Sequence, residues 1–137
     1  LKLKEEKKKP EKIGSAMYDQ TNIFAKILRG EIPCKKVHEN DHALAFHDIS
    51  PQMPVHVLVI PKGPYTNLEE FNAGASLEEM GGFMRAVAET ANLVGVAQSG
   101  YRLIANNGSD GHQEVPHFHV HILGGRPIMG GMIKAQD

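Results

Sequence analysis

"VPHFHVHILGG", residues Val115 to Gly125, decides how the chain reads. In a strand, residues i, i+2 and i+4 project to one face. His117, His119 and His121 therefore share a face, and Phe118, Val120 and Ile122 share the other. The apolar set is expected to face a core and the imidazoles solvent or a cleft. Successive histidine Cα atoms step by about 6.7 Å, so the row spans roughly 13 Å.

Three readings of the row compete. Incidental histidines on an exposed strand are the plainest, but strand surfaces favour Thr, Lys and Glu. A metal site could take two ligands from a His-x-His pair and a third from a neighbouring strand. The first and third imidazoles, however, are too far apart to share one small ion easily. The third reading is a nucleophile with helpers. A neutral imidazole attacks an electrophilic centre through its own lone pair, with no general base, and flanking groups hold the developing charge. An unperturbed pKa near 6.5 makes attack and proton transfer both feasible at neutral pH. A phosphorus centre fits this row, with His119 attacking and His117 and His121 beside the non-bridging oxygens.

Other residues can supply phosphate donors. The segment "NNGSDGHQEV" precedes the row, and its glycines let backbone N–H groups approach an anion. Asn106 and Gln113 add amide donors. In "VHVLVI" (55–60), His56 shares a face with Leu58 and Ile60 and is a candidate orienter. His38, His42, His47 and His112 receive no role from spacing.

Working outward, "TNIFAKILRGEIP" reads as a short helix capped by Thr21 or Asn22 and stopped at Gly30. "CKKVHEN" and "HALAFHD" read as strands joined by a tight turn near Asn40–Asp41. "VHVLVI", almost continuously apolar, reads as a strand in the middle of a sheet. "SLEEMGGFMRAVAETANLVGV" reads as the long helix. Ser76 and Glu79 form its capping box, and Leu77, Met80, Met84, Val87, Ala91 and Val94 its buried stripe. "YRLIAN" and "VPHFHVHIL" close the list of strands. The expectation is an α+β domain with a five-stranded antiparallel sheet and two helices.

The 137 residues, 41% hydrophobic and 23% charged, suit one soluble domain. A net charge of -1 gives no global field toward nucleic acid or a membrane, and neither is expected as a partner. No apolar run approaches the roughly 18 residues that cross a bilayer. Cys34 is the single cysteine, which excludes an internal disulfide and fits a reducing, cytoplasmic setting. The opening "LKLKEEKKKPEK" holds six Lys and three Glu. Residues 1–16 are expected to be a flexible charged extension, either left from expression or a native basic arm, with the domain over 17–137.

The motif "HFHVHILGG" is similar to the His-x-His-x-His-x-x signature of the histidine-triad (HIT) family. "NIFAKILRGEIP", "AFHDISPQMPVHVLVIPK" and "GYRLIANNGSDGHQ" resemble successive blocks of its nucleotide-binding branch. The resemblance implies an α+β homodimer whose two five-stranded sheets join into one of ten strands. It implies purine nucleoside monophosphate binding and hydrolysis of nucleoside phosphoramidates and related adenylates, with no cofactor and no metal. His119 matches the nucleophile that becomes nucleotidylated, His117 and His121 its flanking histidines, and His56 a fourth active-site histidine. Asn106 and Gln113 match the phosphate region, and Glu114 and Val115 beside them are further candidate substrate-binding residues. Asp48 matches the acid that holds the ribose hydroxyls, and Ile23, Phe24, Phe46 and Ile49 the apolar slot for the base. Animal-type members carry serine at Glu114, an aromatic residue at Pro116, and a tryptophan in the tail. A carboxylate beside a phosphate costs energy, so a nucleotide-binding regulatory module with negligible turnover is the alternative.

Overall fold

The computed structural model of the chain describes residues 12–13 and 16–133. β1 (Lys12–Ile13) and β2 (Ala16–Met17) form a short antiparallel pair. The remainder of the expected extension lies outside the described residues. α1 (Ile23–Leu28) is capped by Asn22, whose side chain accepts from the Ala25 N–H, and Gly30 follows with φ +79°. The main sheet contains β3 (Lys36–Glu39), β4 (Ala43–His47), β5 (Val55–Pro61), β6 (Tyr101–Ile104) and β7 (Val120–Gly124). The helices α2 (Leu68–Gly74) and α3 (Leu77–Leu93) lie between β5 and β6 in sequence.

The sheet order is β3-β4-β5-β7-β6, and every neighbouring pair is antiparallel. β5 is central, as its apolar run predicts, and the α+β, five-stranded antiparallel expectation holds. The helix count differs: three helices are present among the described residues, the additional one being α2, which was not legible. Over seven residues α2 buries one large apolar side chain, Phe71, while Leu68 is exposed. That leaves no 3.6-residue period to detect. Asn67 caps it, accepting from the Glu70 N–H.

Strand alternation divides the sheet into two faces. Ala43, Ala45, Val57, Val59, Val120 and Ile122 form one cluster with Phe71, Phe83, Val87 and Phe118 under α3. Leu44, Phe46, Leu58 and Ile60 form the other cluster with Phe24 of α1. The capping box of α3 is present as read. Its buried stripe is shifted: Phe83, Ala86, Val87, Thr90 and Ala91 are buried, whereas Leu77 is 87% and Met84 55% exposed. The stripe instead follows Met80, Phe83, Val87, Thr90 and Ala91, the positions that pack toward the sheet. Gly82 lies on that contact; a Cβ there would stand 2.5 Å from Cδ2 of His42. Glycine lets α3 approach the β3–β4 turn.

The ladder of the last strand begins at Val120, not at Val115. Pro116 has no N–H, and β5 ends at Pro61, which also lacks one. The Phe118 N–H instead bonds to the Tyr65 carbonyl at 2.8 Å. Residues 117–119 keep the alternating side-chain directions outside the ladder, so Phe118 still enters the α3-side cluster with Val120 and Ile122.

Candidate active site

β5 and β7 are adjacent, with Leu58 opposite His121 and His56 opposite Leu123. Side chains of opposed residues share a face, so this register brings His56 beside His121. The two imidazoles meet at 2.9 Å between His56 Nε2 and His121 Nδ1. The β4–β5 loop closes over them. Its Gln52 N–H donates to His56 Nδ1 at 3.0 Å, and Asp48 Oδ2 lies 3.5 Å from His56 Nε2. Asp48 is itself oriented by the Ser50 N–H, at 2.7 Å from Oδ1.

These partners assign the tautomers of the neutral rings. His56 Nδ1 accepts from a backbone N–H, so its proton sits on Nε2. That Nε2–H donates to His121 Nδ1, so the proton of His121 sits on its Nε2. His119 runs the other way. Its Nδ1 donates to the His117 carbonyl at 2.7 Å, because a carbonyl only accepts, and its Nε2 keeps the lone pair. The site thus presents one nitrogen with a free lone pair and one N–H donor from neighbouring rings, whose centroids are 5.1 Å apart.

His117 differs from both. It shares their face, packed near Phe24, but is fully buried and does not open to the cleft. Its Nε2 donates to the Pro61 carbonyl at 2.8 Å, and its Nδ1 accepts from the Tyr18 hydroxyl at 2.6 Å. Both ring nitrogens are occupied, and the backbone carbonyl of His117 holds the His119 ring. His117 does not line the cavity described below. Tyr18 gave no signal in the sequence, standing 99 residues from its partner.

Burial penalises the charged form of all four imidazoles. It pushes His117 down to about 4 and His121 to about 4, the latter aided by the neighbouring His119 and His56. His119 and His56 are lowered by burial, which the Asp48 carboxylate partly opposes. At neutral pH Nε2 of His119 is therefore unprotonated.

A cavity of about 280 Å³ opens here, lined by Phe24, Asp48, His56, Asn106, Glu114, Val115, His119 and His121 among the expected residues. Ser50, Gln52, Leu58 and His112 line it as well. Leu58 was legible as the i+2 neighbour of His56; Gln52 and His112 carried no sequence signal for this position. Ile23, Phe46, Ile49, Gln113 and His117 do not line it. Phe46 is buried behind Phe24, with ring centroids 5.7 Å apart, while Ile23 is partly exposed and Ile49 is 92% exposed. The Gln113 amide is committed to its own loop and to the segment before α2. Its Nε2 donates to the Thr66 and Val115 carbonyls at 2.7 and 3.0 Å, and its Oε1 accepts from the Gly108 N–H. Gln113 thus braces the loop that carries Glu114 and Val115.

Asp48, His56 and His121 place one donor atom each within 4.8 Å of one another, the only such trio among the described residues. Two of those donors are joined by the His56–His121 hydrogen bond, which a metal would have to replace.

The HIT domain family matches residues 29–128, and the chain belongs to that family. It is 57% identical over 116 residues to an uncharacterised 13.2 kDa HIT-like protein of Azospirillum brasilense, covering 85% of this chain and 94% of the relative. It is 42% identical over 109 residues to the purine nucleoside phosphoramidase of Escherichia coli strain K12, covering 80% and 91%. A HIT family hydrolase from Legionella pneumophila superposes with a TM-score of 0.73 at 39% identity, covering 80% of this chain and 96% of that one.

Proposed function

We propose that the chain is a purine nucleoside phosphoramidase working through a nucleotidyl-His119 intermediate. The observation that carries this is the pair of opposite tautomers: His119 Nε2 with a free lone pair beside His121 Nε2 with a proton. The 42% identity to a purine nucleoside phosphoramidase supports the same reading.

In the first step the His119 Nε2 lone pair attacks the α-phosphorus, and the P–N bond to the amine breaks. The departing nitrogen keeps that electron pair and takes one proton from the His56–His121 pair in its protonated form. Burial opposes that form in the free protein, and a bound anionic phosphoryl group favours it. Attack places positive charge on the His119 ring, which the His117 carbonyl stabilises through Nδ1–H. In the second step water attacks phosphorus, the P–Nε2 bond breaks, and nucleoside 5′-monophosphate leaves with His119 restored. The His56–His121 pair accepts the proton of that water.

In this reading Asp48 accepts from the ribose hydroxyls, and Asn106 and the Gln113-braced loop border the phosphate. The base lies against Phe24, Leu58 and Val115. Phe46 backs that wall, and the exposed Ile23 and Ile49 lie outside the cavity, where a base reaching past its rim would cover them. The protein works as a cytoplasmic homodimer without a cofactor. The edge strand β6 supports pairing, since it leaves Tyr101 38% and Leu103 43% exposed. No described helix is long and apolar enough to cross a membrane.

The test is a rapid-quench, intact-mass search for protein carrying one adenylyl group after mixing with an adenosine 5′-phosphoramidate. His119→Ala should abolish the adduct and lower kcat by at least about 10²-fold, the scale of a lost covalent route. Undiminished turnover in that variant would remove the proposal.

A further inference from the structure

The charge of the cavity does not match the charge of a phosphate. Its lining holds two carboxylates, Asp48 and Glu114, and neither lysine nor arginine. Its only ionisable bases are His56, His112, His119 and His121, of which His56, His119 and His121 resist protonation because they are buried. A substrate that brought further negative charge would meet uncompensated repulsion.

Glu114 stands on a braced stretch of backbone. Gln113 on one side and Val115 on the other are tied together by the Gln113 amide. The Gln113 N–H bonds to the Gly108 carbonyl at 3.0 Å, and the His112 N–H to the Ser109 carbonyl at 3.0 Å. The turn is tight enough that a Cβ on Gly111 would stand 2.6 Å from the Asn107 carbonyl oxygen. His112 follows with φ +60°, the one non-glycine with positive φ among the described residues. Such backbone strain concentrates where a side chain has to be aimed. Here it sets the His112 ring at the cavity lip, with Nε2 3.4 Å from Glu114 Oε2.

We infer that Glu114 selects the charge of the leaving group, and that the preferred substrates are nucleoside phosphoramidates whose departing amine carries a second, cationic nitrogen. The inference rests on the phosphoramidase reading above. With the nucleoside on the Asp48 side, the group leaving from phosphorus opens toward the Asn106–Glu114 loop. The bond changes stay those already described: the nitrogen on phosphorus departs with its electron pair and takes one proton. The second nitrogen remains an ammonium throughout and only pairs with the Glu114 carboxylate. His112 sets how much of that carboxylate's field reaches the leaving group. The two side chains are 79% and 86% exposed, so the selectivity is moderate and shrinks with salt.

The experiment compares kcat/KM for three adenosine 5′-phosphoramidates, made from 1,3-diaminopropane, propylamine and β-alanine. These present cationic, neutral and anionic leaving groups. Each is assayed at low ionic strength with the wild-type chain, Glu114→Gln and His112→Gly. The cationic-to-anionic ratio should fall about fivefold or more in Glu114→Gln, since comparing one pair of substrates across variants cancels their intrinsic reactivity. His112→Gly relieves the strained φ, removes the partner of Glu114, and should raise the ratio. An unchanged ratio in Glu114→Gln overturns the inference and leaves the phosphoramidase reading intact. Failure to cleave any of the three, the neutral one included, overturns both.

Discussion

The two faces of the sheet come from the same strands and are held by different physics. Under α3, Val57, Val59, Val120 and Ile122 meet Phe71, Phe83 and Phe118, and the contacts are apolar throughout. On the other face His56, His119 and His121 stand over Leu58 and beside Phe24, and each buried nitrogen needs a named partner. The first face tolerates any side chains that fill the volume. The second is specified by hydrogen bonds, since an unmatched buried polar atom costs more than a matched one contributes. The histidine row is backed by an apolar, buried cluster on the opposite face.

That contrast can be broken from the packed side first. Phe83 is 1% exposed and touches both Phe71 and Phe118 at ring-centroid distances of 5.3 and 5.5 Å. Phe83→Ala should lower unfolding free energy by about 3–5 kcal/mol, measured by urea denaturation. A loss below about 1 kcal/mol would mean that the aromatic cluster is not what supports the sheet.

The polar side breaks with acid. His117 is held at about 4 by burial, against 6.5 in the unfolded chain. Above pH 6.5 both states are neutral there and stability does not depend on this group. Below it the unfolded chain takes up a proton that the folded chain refuses, so stability falls until pH reaches about 4 and then levels. The full loss is on the order of 3 kcal/mol from this residue. His121 acts with the same sign, discounted for its partial exposure. Urea midpoints from pH 7 to pH 4.5 should track this, with a shallower slope in His117→Gln. Equal slopes in the two proteins would mean that His117 does not carry the effect.

The smallest effect sharpens the comparison. Tyr18→Phe leaves the aromatic packing in place and removes the donor to His117 Nδ1. One orphaned buried acceptor should cost about 1–3 kcal/mol. A denaturation midpoint equal to that of the wild-type chain would show that this nitrogen does not need its partner.

Much of this was legible in local pattern. The central position of β5 follows from "VHVLVI", the Ser76 cap and a cap at Thr21 or Asn22 from their side chains, and the entry of Phe118, Val120 and Ile122 into the core from alternation. Three features escaped for identifiable reasons. α2 is too short to show a period. The α3 stripe contained spare apolar residues at Leu77 and Met84, and only the sheet's shape decides which ones it covers. Among the candidate site residues, the phosphate role expected of Gln113 met competition from two hydrogen bonds inside its own loop and one to the Thr66 carbonyl. Such competition is invisible until the loop closes.

By itself the sequence determined which side of the last strand carries imidazole and which carries hydrocarbon, because a two-residue period is a local property of extended backbone. It also determined that phosphorus chemistry by an uncharged imidazole was the reading to test. Only the tertiary structure decided which imidazole nitrogens are free. His117 is closed off by Pro61, 56 residues away, and by Tyr18, whereas His121 receives its proton assignment from His56, 65 residues away. A tautomer is set by the partner of each ring nitrogen; for His117 and His121 those partners arrive through sheet register and tertiary packing, whereas His119 takes its partner from the His117 carbonyl two residues away.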